Sequence, residues 1–284
     1  MTGNLMKYKQ EHNMTMTPYN AGNIFKYYPT ERISFFDDFL IRFTQTEDLN
    51  DPAECLPKFK YFCDPGFKKE RAQKTWERKF PDNKSESKRK HYCRQFIKTM
   101  NWKETIKSSY TKHLKMLGIL SLSKSSLNGH LWENYAKDGF CIGFSSISPF
   151  FQRRSTDPQG TGELYEVTYD DTPIILDARR FYDPNFMQLR MFYQKTKKWE
   201  LEEEIRIIRL RCTADNEIDN RFSLFRIQSD AITAVYFSPT ASAKFIADAV
   251  AKIQGKLPNL PFFKVEHTNR SNTISGLTAR AITI

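Results

Sequence analysis

The sequence predicts an α+β protein with a central, mostly antiparallel sheet. Strand-like and helical stretches follow one another without the regular strand–helix alternation that indicates a doubly wound parallel sheet. Among the 284 residues, 39% are hydrophobic and 14% aromatic, which is enough to build a hydrophobic core. We therefore expect a mobile N-terminal tail over residues 1–20 and a single α+β domain over residues 21–284. A basic helical insertion is expected over about residues 67–116.

The first part of the chain predicts two strands and a helical region. Short apolar runs rich in aromatic and β-branched residues indicate strands over residues 24–28 and 39–44. An Asn-Asp-Pro sequence at 50–52 favours a turn, because Asn and Asp side chains cap the local backbone and Pro fixes φ. Apolar residues recur with helical spacing over residues 68–116, and Pro-Asp-Asn at 81–83 interrupts the pattern.

The second part of the chain continues to mix strands and helices. Alternating side chains after Met116 indicate a strand, and Thr240 and Gly255 are typical of the two ends of a helix. The expected strands cover residues 117–123, 140–144, 164–169, 222–227, 232–237 and 262–265. The expected helices cover residues 127–136, 185–198 and 240–254, the second of them amphipathic.

The positive charge is concentrated in one segment. The net charge is +11, and the segment from Lys68 to Lys115 holds sixteen Lys and Arg against five Asp and Glu, so it carries the whole excess. A basic helical face tracks phosphates well, which predicts a nucleic acid or an acidic protein as partner. The alternative is a solvated helix face that keeps the protein soluble. The candidate nucleic-acid-binding residues are Lys84, Lys88, Arg89, Lys90, Arg94 and Lys98.

Several classes of site are not indicated by the sequence. The five cysteines form no CxxC pair and the five histidines form no zinc motif, so we expect free thiols and no metal site. No glycine-rich phosphate loop is present. The polar N-terminus and the lack of a long apolar run predict a cytoplasmic protein without a membrane partner. Export without a signal peptide stays open.

Residues 199–211 carry the most unusual pattern, in which an acidic start runs into an apolar, basic strand. If this stretch is a strand throughout, its period of two places Glu200, Glu202, Glu204 and Arg206 on one face. Glutamate is disfavoured in strands, and such conflicts are typical of functional sites. A solvated acidic strand, or a structural ion network, is the alternative interpretation.

Four short stretches follow one another along the chain. They are Lys26-Tyr27; residues 40–54 with Asn50-Asp51-Pro52 and Glu54; residues 118–144 with Leu131-Trp132, Tyr135-Ala136 and the run 139–144; and Trp199, Glu202, Glu204 and Arg206. In this order they resemble a bacterial family known as domain of unknown function 2971. At one point the chain departs from the family pattern, because Lys137-Asp138 stands where the family usually has a histidine.

The layout of these stretches resembles, more remotely, the ADP-ribosyltransferase superfamily, which uses NAD as a substrate. The resemblance implies an ADP-ribosyltransferase-like fold in which Glu204 stabilises the ribose of NAD and Glu202 faces the acceptor. We expect Glu204→Gln to leave folding little affected. The resemblance also implies a set of NAD-binding residues, namely Lys26, Tyr27, Ser121, Ser123, Trp132, Tyr135 and Arg206.

Two functions of different class follow from these patterns. The first is an NAD-dependent ADP-ribosyltransferase or NAD glycohydrolase, acting as a bacterial toxin or phage-defence effector, with nucleic acid or an acidic protein as acceptor. The second is a non-catalytic nucleic-acid-binding protein that uses the basic helices, with a structural role for the acidic stretch. In that case Trp132 and Tyr135 belong to the core, since aromatic residues at this spacing usually pack. The oligomeric state is not indicated.

Overall fold

The described residues contain fifteen strands, and eleven of them form one sheet. The computed structural model describes residues 18–19, 22–51, 54–60, 63–155, 157–158, 161–178, 189–219, 221–268 and 276–283. The strands are β1 (Asn23–Tyr28), β2 (Leu40–Gln45), β3 (Lys58–Lys60), β4 (Leu117–Ser123), β5 (Phe140–Ser145), β6 (Leu164–Glu166), β7 (Thr168–Tyr169), β8 (Ile175–Asp177), β9 (Gln194–Lys195), β10 (Glu204–Leu210), β11 (Asn216–Ile218), β12 (Phe222–Arg226), β13 (Ile232–Phe237), β14 (Phe262–His267) and β15 (Leu277–Ala281).

The large sheet is mostly antiparallel, as the sequence predicts. Its order is β11-β12-β2-β4-β1-β5-β13-β14-β15, with β10 paired to β4 and β6 paired to β10. Within this sheet the described pairing of β13 with β14 is parallel and the other pairings are antiparallel. Two small parallel pairs, β3 with β8 and β7 with β9, lie beside it. The protein is therefore a mixed α+β fold around a mostly antiparallel sheet.

The helices lie mainly in one segment between β3 and β4. The α-helices are α1 (Phe35–Asp38), α2 (Pro65–Lys79), α3 (Glu86–Thr99), α4 (Trp102–Leu114), α5 (Gly129–Leu131) and α6 (Ala243–Gln254). A π-helical turn covers Trp132–Ala136. Short 3-10 helices cover Thr30–Ser34, Thr46–Asp48, Pro149–Phe151, Leu189–Phe192, Lys197–Glu202, Arg211–Thr213 and Ser229–Ala231.

Helices α2, α3 and α4 each begin at a polar capping residue. The side chains of Asp64, Ser85 and Asn101 accept hydrogen bonds from the first turn of their helices, which satisfies amides that have no partner within the helix. The break at Asn101 divides what the sequence pattern shows as one helix. A small cluster holds this segment against the rest of the protein through Phe67 and Trp102. That the segment is an insertion into a single domain stays a prediction.

Strand β4 lies at the centre of the sheet and divides it. Along one edge it pairs with β10 over its whole length, from Leu117 opposite Leu210 to Ser123 opposite Glu204. Along its other edge β4 meets β2 at residues 118–119 and β1 at Ser123. Residues 120–122 therefore lie between two strands that diverge, and a gap opens in the sheet at this point.

The strand alternation assigns different residues to the two faces of the sheet. Ile205 and Ile207 join the largest core cluster, which also contains residues from α1 and α6. Ile119 and Ile208 point to the opposite face and pack in a second cluster with Tyr110 of α4. Ser121, Ser123, Glu204 and Arg206 share the face of this second cluster, because they alternate in step with Ile119 and Ile208. The polar residues of β4 and β10 thus meet on one face.

Several sequence predictions need correction. Residues 189–198 do not form a continuous amphipathic helix: 3-10 turns flank β9, and residues 185–188 lie outside the described part of the chain. The predicted strand over 164–169 divides into β6 and β7. Helix α6 begins at Ala243 with Ser242 as its cap, and not at Thr240.

The acidic stretch also differs from its prediction. Glu200 and Glu202 lie in a 3-10 helix, and Glu203 has a positive φ of 47° at its end, so the strand begins only at Glu204. Residues 1–17 of the predicted tail lie outside the described residues. Pro18 and Tyr19 lie against β6, where the amide of Tyr19 donates to the carbonyl of Leu164 at 2.9 Å.

Candidate functional site

A cavity of about 320 Å³ opens at the gap between β1 and β2. Both strands contribute to its wall, and the polar residues of β4 and β10 lie beside it. The resemblance implies nine site residues, and eight of them line the cavity, namely Lys26, Tyr27, Ser121, Ser123, Tyr135, Glu202, Glu204 and Arg206. The ninth, Trp132, is not among the lining residues.

Lys26 bridges the gap in the sheet. Its Nζ donates to the carbonyl oxygen of Ser121 at 2.7 Å, within the part of β4 that meets neither β1 nor β2. Burial lowers the pKa of Lys26 to about 8, although the nearby Glu204 carboxylate favours the charged amine. Lys26 is therefore a cation in the cavity whose charge depends on pH in the neutral to mildly alkaline range.

Arg206 lies 1% exposed between two carboxylates. Its Nε donates to Glu204 Oε1 at 2.6 Å and its Nη2 donates to Glu204 Oε2 at 3.0 Å. Nη2 also pairs with Glu54, and Nη1 donates to the carbonyl oxygen of Phe192 at 2.6 Å. The bidentate geometry fixes the Glu204 side chain against the sheet.

The charges around Glu204 determine its protonation. Burial alone would raise the pKa of Glu204, but the adjacent Arg206 and Lys195 lower it to about 2. Burial raises the pKa of Glu54, and Arg206 opposes this only in part. Burial acts to lower the pKa of Lys195, but its carboxylate neighbours, led by Glu204, outweigh burial and raise it. Glu204 and Lys195 are therefore charged at neutral pH.

Glu202 and Glu204 differ in how many acceptor positions are occupied. A carboxylate has about four such positions. Glu204 accepts two bonds from Arg206 and pairs with Lys195 at 3.1 Å, and the Ser121 hydroxyl also favours its charged form. Glu202 accepts from the Tyr135 hydroxyl and, at 2.6 Å, from Lys195. Of these two glutamates, Glu202 thus has more acceptor capacity left for a ligand.

Asn50, Asp51 and Glu54 lie against the acidic stretch, whereas Pro52 of the predicted turn lies outside the described residues. The amide of Asn50 donates to the Tyr135 hydroxyl at 3.1 Å. The indole of Trp199 donates to Asp51 Oδ2 at 3.0 Å, and Glu54 pairs with Arg206. Asn50, Asp51 and Glu54 therefore hold the cavity wall in place, whereas the sequence favours a simple turn there.

Three predicted residues use their polar groups within the protein. The Tyr27 hydroxyl donates to the carbonyl of Ser125 at 2.7 Å, and the Ser123 hydroxyl donates to the carbonyl of Glu202 at 3.2 Å. Trp132 is 3% exposed and packs edge-on against Tyr27, with ring centroids 4.9 Å apart. The prediction that Trp132 faces the cavity is wrong, because the π-helical turn directs its ring into the core behind Tyr27.

Sequence reasoning missed Lys195 and Arg42, which also line the cavity. Lys195 is 7% exposed and joins Glu202 to Glu204. It stands in a segment whose apolar spacing indicates a helix, so no local signal marks it. Arg42 is a partly buried residue of β2 that lies between two fully buried neighbours, Ile41 and Phe43. Only this pattern of burial along β2 distinguishes it from other arginines in strands.

The six predicted nucleic-acid-binding residues lie on or beside α3. Lys84 and Arg89 line a cleft of about 510 Å³ together with Trp76 and Phe80. Lys88 lines an adjoining cleft of about 670 Å³ beside Tyr92. The other three residues recur every fourth position and form a stripe on another face of α3, and these are Lys90, Arg94 and Lys98.

Comparisons with protein-family models, with curated proteins and with solved structures find no match. The resemblance to domain of unknown function 2971 and to ADP-ribosyltransferases therefore stays a prediction from short motifs. No helix among the described residues is both long and apolar enough to cross a membrane. The described part of the chain also contains no group of three or more His, Cys, Asp and Glu side chains placed to hold a metal ion.

Proposed function

We propose that the protein cleaves the bond between nicotinamide and ribose in NAD and passes ADP-ribose to water or to an acceptor. The observation that carries this proposal is that four separated stretches meet at one cavity. They bring a cation, hydroxyl groups, an aromatic ring and two carboxylates together, namely Lys26, Ser121, Tyr135, Glu202 and Glu204. Pockets of this kind, with a few convergent polar groups, are typical of ligand sites.

The geometry favours a different division of roles between the glutamates from the one implied by the resemblance. Glu204 is held by Arg206, Lys195 and Ser121, which leaves it as a positioning residue. Glu202 has acceptor capacity left, and the Tyr135 hydroxyl and Lys195 fix its orientation. We therefore assign the carboxylate that faces the ribose to Glu202.

The reaction needs a negative charge next to the ribose carbon. When the C1′–N bond breaks, its electron pair leaves with nicotinamide and C1′ becomes an oxocarbenium-like centre. Glu202 accepts a hydrogen bond from the neighbouring ribose hydroxyl, and its charge stabilises this centre. An oxygen of water or of the acceptor then bonds to C1′ and releases its proton to solvent. Burial and the neighbouring Glu202 carboxylate keep the pKa of Tyr135 high, so its hydroxyl stays a donor.

The test is NAD consumption by the purified protein and by three matched variants. Glu202→Gln should lower turnover by on the order of a hundredfold, the scale for removing one preorganised electrostatic group. Glu204→Gln should lower both turnover and melting temperature, since it weakens a buried ion network. Glu200 is exposed on the same 3-10 helix, so Glu200→Gln should behave like the parent. A parent that consumes no NAD, with or without DNA or RNA, contradicts the proposal.

A second candidate function is nucleic-acid binding by the basic helices, either alone or to present an acceptor. The supporting observation is that cations and aromatic rings share the clefts between α2 and α3, with Phe80 38% exposed beside Lys84 and Arg89. Single-stranded DNA and RNA bind to such surfaces by stacking their bases on aromatic side chains, while Lys and Arg side chains contact the phosphates. Use of the protein as a toxin or phage-defence effector stays a prediction.

Binding of a single-stranded oligonucleotide at several salt concentrations tests this second function. Affinity should fall steeply with salt, because each neutralised phosphate releases counterions. The double change Lys84→Gln and Arg89→Gln should weaken binding more than Lys90→Gln and Arg94→Gln, which remove the same charge from the stripe. Equal losses would assign binding to net charge alone, and a flat salt dependence contradicts nucleic-acid binding.

A further inference from the structure

Arg42 stands between two cavities. It lines the candidate site and also a second cavity of about 320 Å³, which lies along the edge of β2 that pairs with β12. Its Nη2 pairs with Asp48 Oδ2 at 2.7 Å, and its guanidinium carbon lies 4.1 Å from the centre of the Phe222 ring. The Nε of Arg42 is buried and has no hydrogen-bond partner among the described residues. The Arg42 side chain is 32% exposed, and of its five N–H donors the structure uses one on Asp48, so the exposed part of the guanidinium can still donate to a ligand.

Arg42 and a second arginine share one carboxylate. Arg221 shares Asp48 with Arg42, at 3.2 Å, so one carboxylate faces two guanidinium groups. Arg32 lines the second cavity and acts electrostatically on both Arg42 and Lys26. A line of cations therefore runs from Lys26 in the first cavity to Arg32 in the second. Such a line suits a ligand that carries more than one phosphate charge.

The second cavity has the walls that a nucleoside needs. Its apolar side is formed mainly by Phe35, Leu40 and Leu224, which are 2%, 7% and 9% exposed. Its polar rim holds the carboxylates of Asp37 and Asp38 and the Ser34 side chain. Apolar walls receive a base, and carboxylates and hydroxyls accept from amino and ribose groups. At about 320 Å³, each cavity is at the lower end of the range for small-molecule sites.

We infer that the second cavity takes the adenosine half of NAD, and that Arg42 holds the diphosphate that joins the two halves. A guanidinium fork matches the spacing of phosphate oxygens, which an ammonium group does not. This inference rests on the proposed function for the identity of the dinucleotide. It assigns the nicotinamide half to the cavity with Glu202. Arg42 is then the group that determines in which orientation NAD binds across the two cavities.

The experiment measures calorimetric binding of ADP and of nicotinamide mononucleotide, neither of which needs turnover. Arg42→Met should weaken ADP binding roughly ten- to a hundredfold, the range for losing a charge-assisted hydrogen bond. Ser34 is exposed at the rim, so Ser34→Trp should block ADP while nicotinamide mononucleotide still binds. Arg280→Met and Ser87→Trp are matched exposed controls that should bind like the parent. Melting curves establish that each variant is folded.

The outcomes separate this inference from the proposed function. If ADP binding depends on Arg42 and Ser34 while no NAD is consumed, the proposed reaction fails and the nucleotide site stands. If NAD is consumed but both variants bind ADP as tightly as the parent, the inference fails and the reaction stands. A parent that binds neither probe overturns the inference.

Discussion

Arg206 and Arg209 lie three residues apart on β10, on opposite faces, and are 1% and 0% exposed. Arg206 contacts Glu204 and Glu54, and these carboxylates raise its pKa against the effect of burial. Arg209 forms no ion pair with a described residue. Its Nη2 donates to the carbonyl of Phe150, three phenylalanine rings surround it, and burial lowers its pKa to about 10.

The difference shows two ways in which one strand accommodates a buried charge. The partners of Arg206 line the cavity, so its charge fixes groups that face the cavity. Arg209 has two guanidinium nitrogens, Nε and Nη1, without hydrogen-bond partners among the described residues, and its neighbours belong to the hydrophobic core. We infer that Arg206 serves the site, while Arg209 serves the packing of Phe43, Phe150 and Phe225 through contacts with their rings.

The largest expected effect is that of Arg206→Met. This change leaves Glu204 and Glu54 buried without their main counter-charge, and it should cost about 3–5 kcal/mol of unfolding free energy. Urea unfolding of the parent and the variant measures the loss. A loss below about 1 kcal/mol would show that the two carboxylates find other partners and that the contrast with Arg209 is unfounded.

A smaller effect should appear in acid. Glu204 has a folded-state pKa of about 2 against an ordinary value of 4.5. Its ion pair therefore stabilises the protein fully above about pH 4.5, and this contribution is lost as the pH falls toward 2. The loss should be about 1–3 kcal/mol. The raised pKa of Glu54 has the opposite effect, but above pH 4.5, where acidification through its folded-state pKa adds stability. Unfolding at pH 6, 4 and 3 measures the loss, and Glu204→Gln should show a shallower dependence.

The smallest effect should be that of Arg209→Met. Removing a buried charge without a counter-ion relieves a desolvation cost while the methionine keeps most of the packing volume. The unfolding free energy should change by no more than about 1 kcal/mol, toward greater stability. Urea unfolding beside Arg206→Met checks this, and a loss comparable to that variant would mean that Arg209 has a counter-charge in the folded protein.

Much of the sheet could be predicted because its signals are local. Strands β1, β2, β4, β5, β12 and β13 all lie where apolar, β-branched and aromatic runs indicate them. The glutamates of the site were also predicted, although for a partly wrong reason. Glu203 takes a left-handed conformation with φ of 47°, so Glu202 approaches Glu204 through a turn and not through strand alternation.

The remaining features depend on contacts that are distant in sequence. The expectation that Glu204→Gln leaves folding little affected changes once Glu204 is seen to be 3% exposed and bound to Arg206 and Lys195. The spacing of Trp132 and Tyr135 fits both a ligand-binding role and a role in the core. Only the π-helical turn determines which of the two rings faces the core. No sequence pattern shows that Arg42 separates two cavities.

The division of the sheet at β4 has a consequence for how the protein is made. Lys26 and Ser121 emerge from the ribosome well before Glu202 and Glu204, and β4 gains its longest pairing only when β10 has been synthesised. A nascent chain that stops before Glu202 has neither carboxylate nor the strand that carries Arg206. The cavity is therefore a property of the completed sheet, and partially translated chains should be inert toward any ligand that the finished protein binds there.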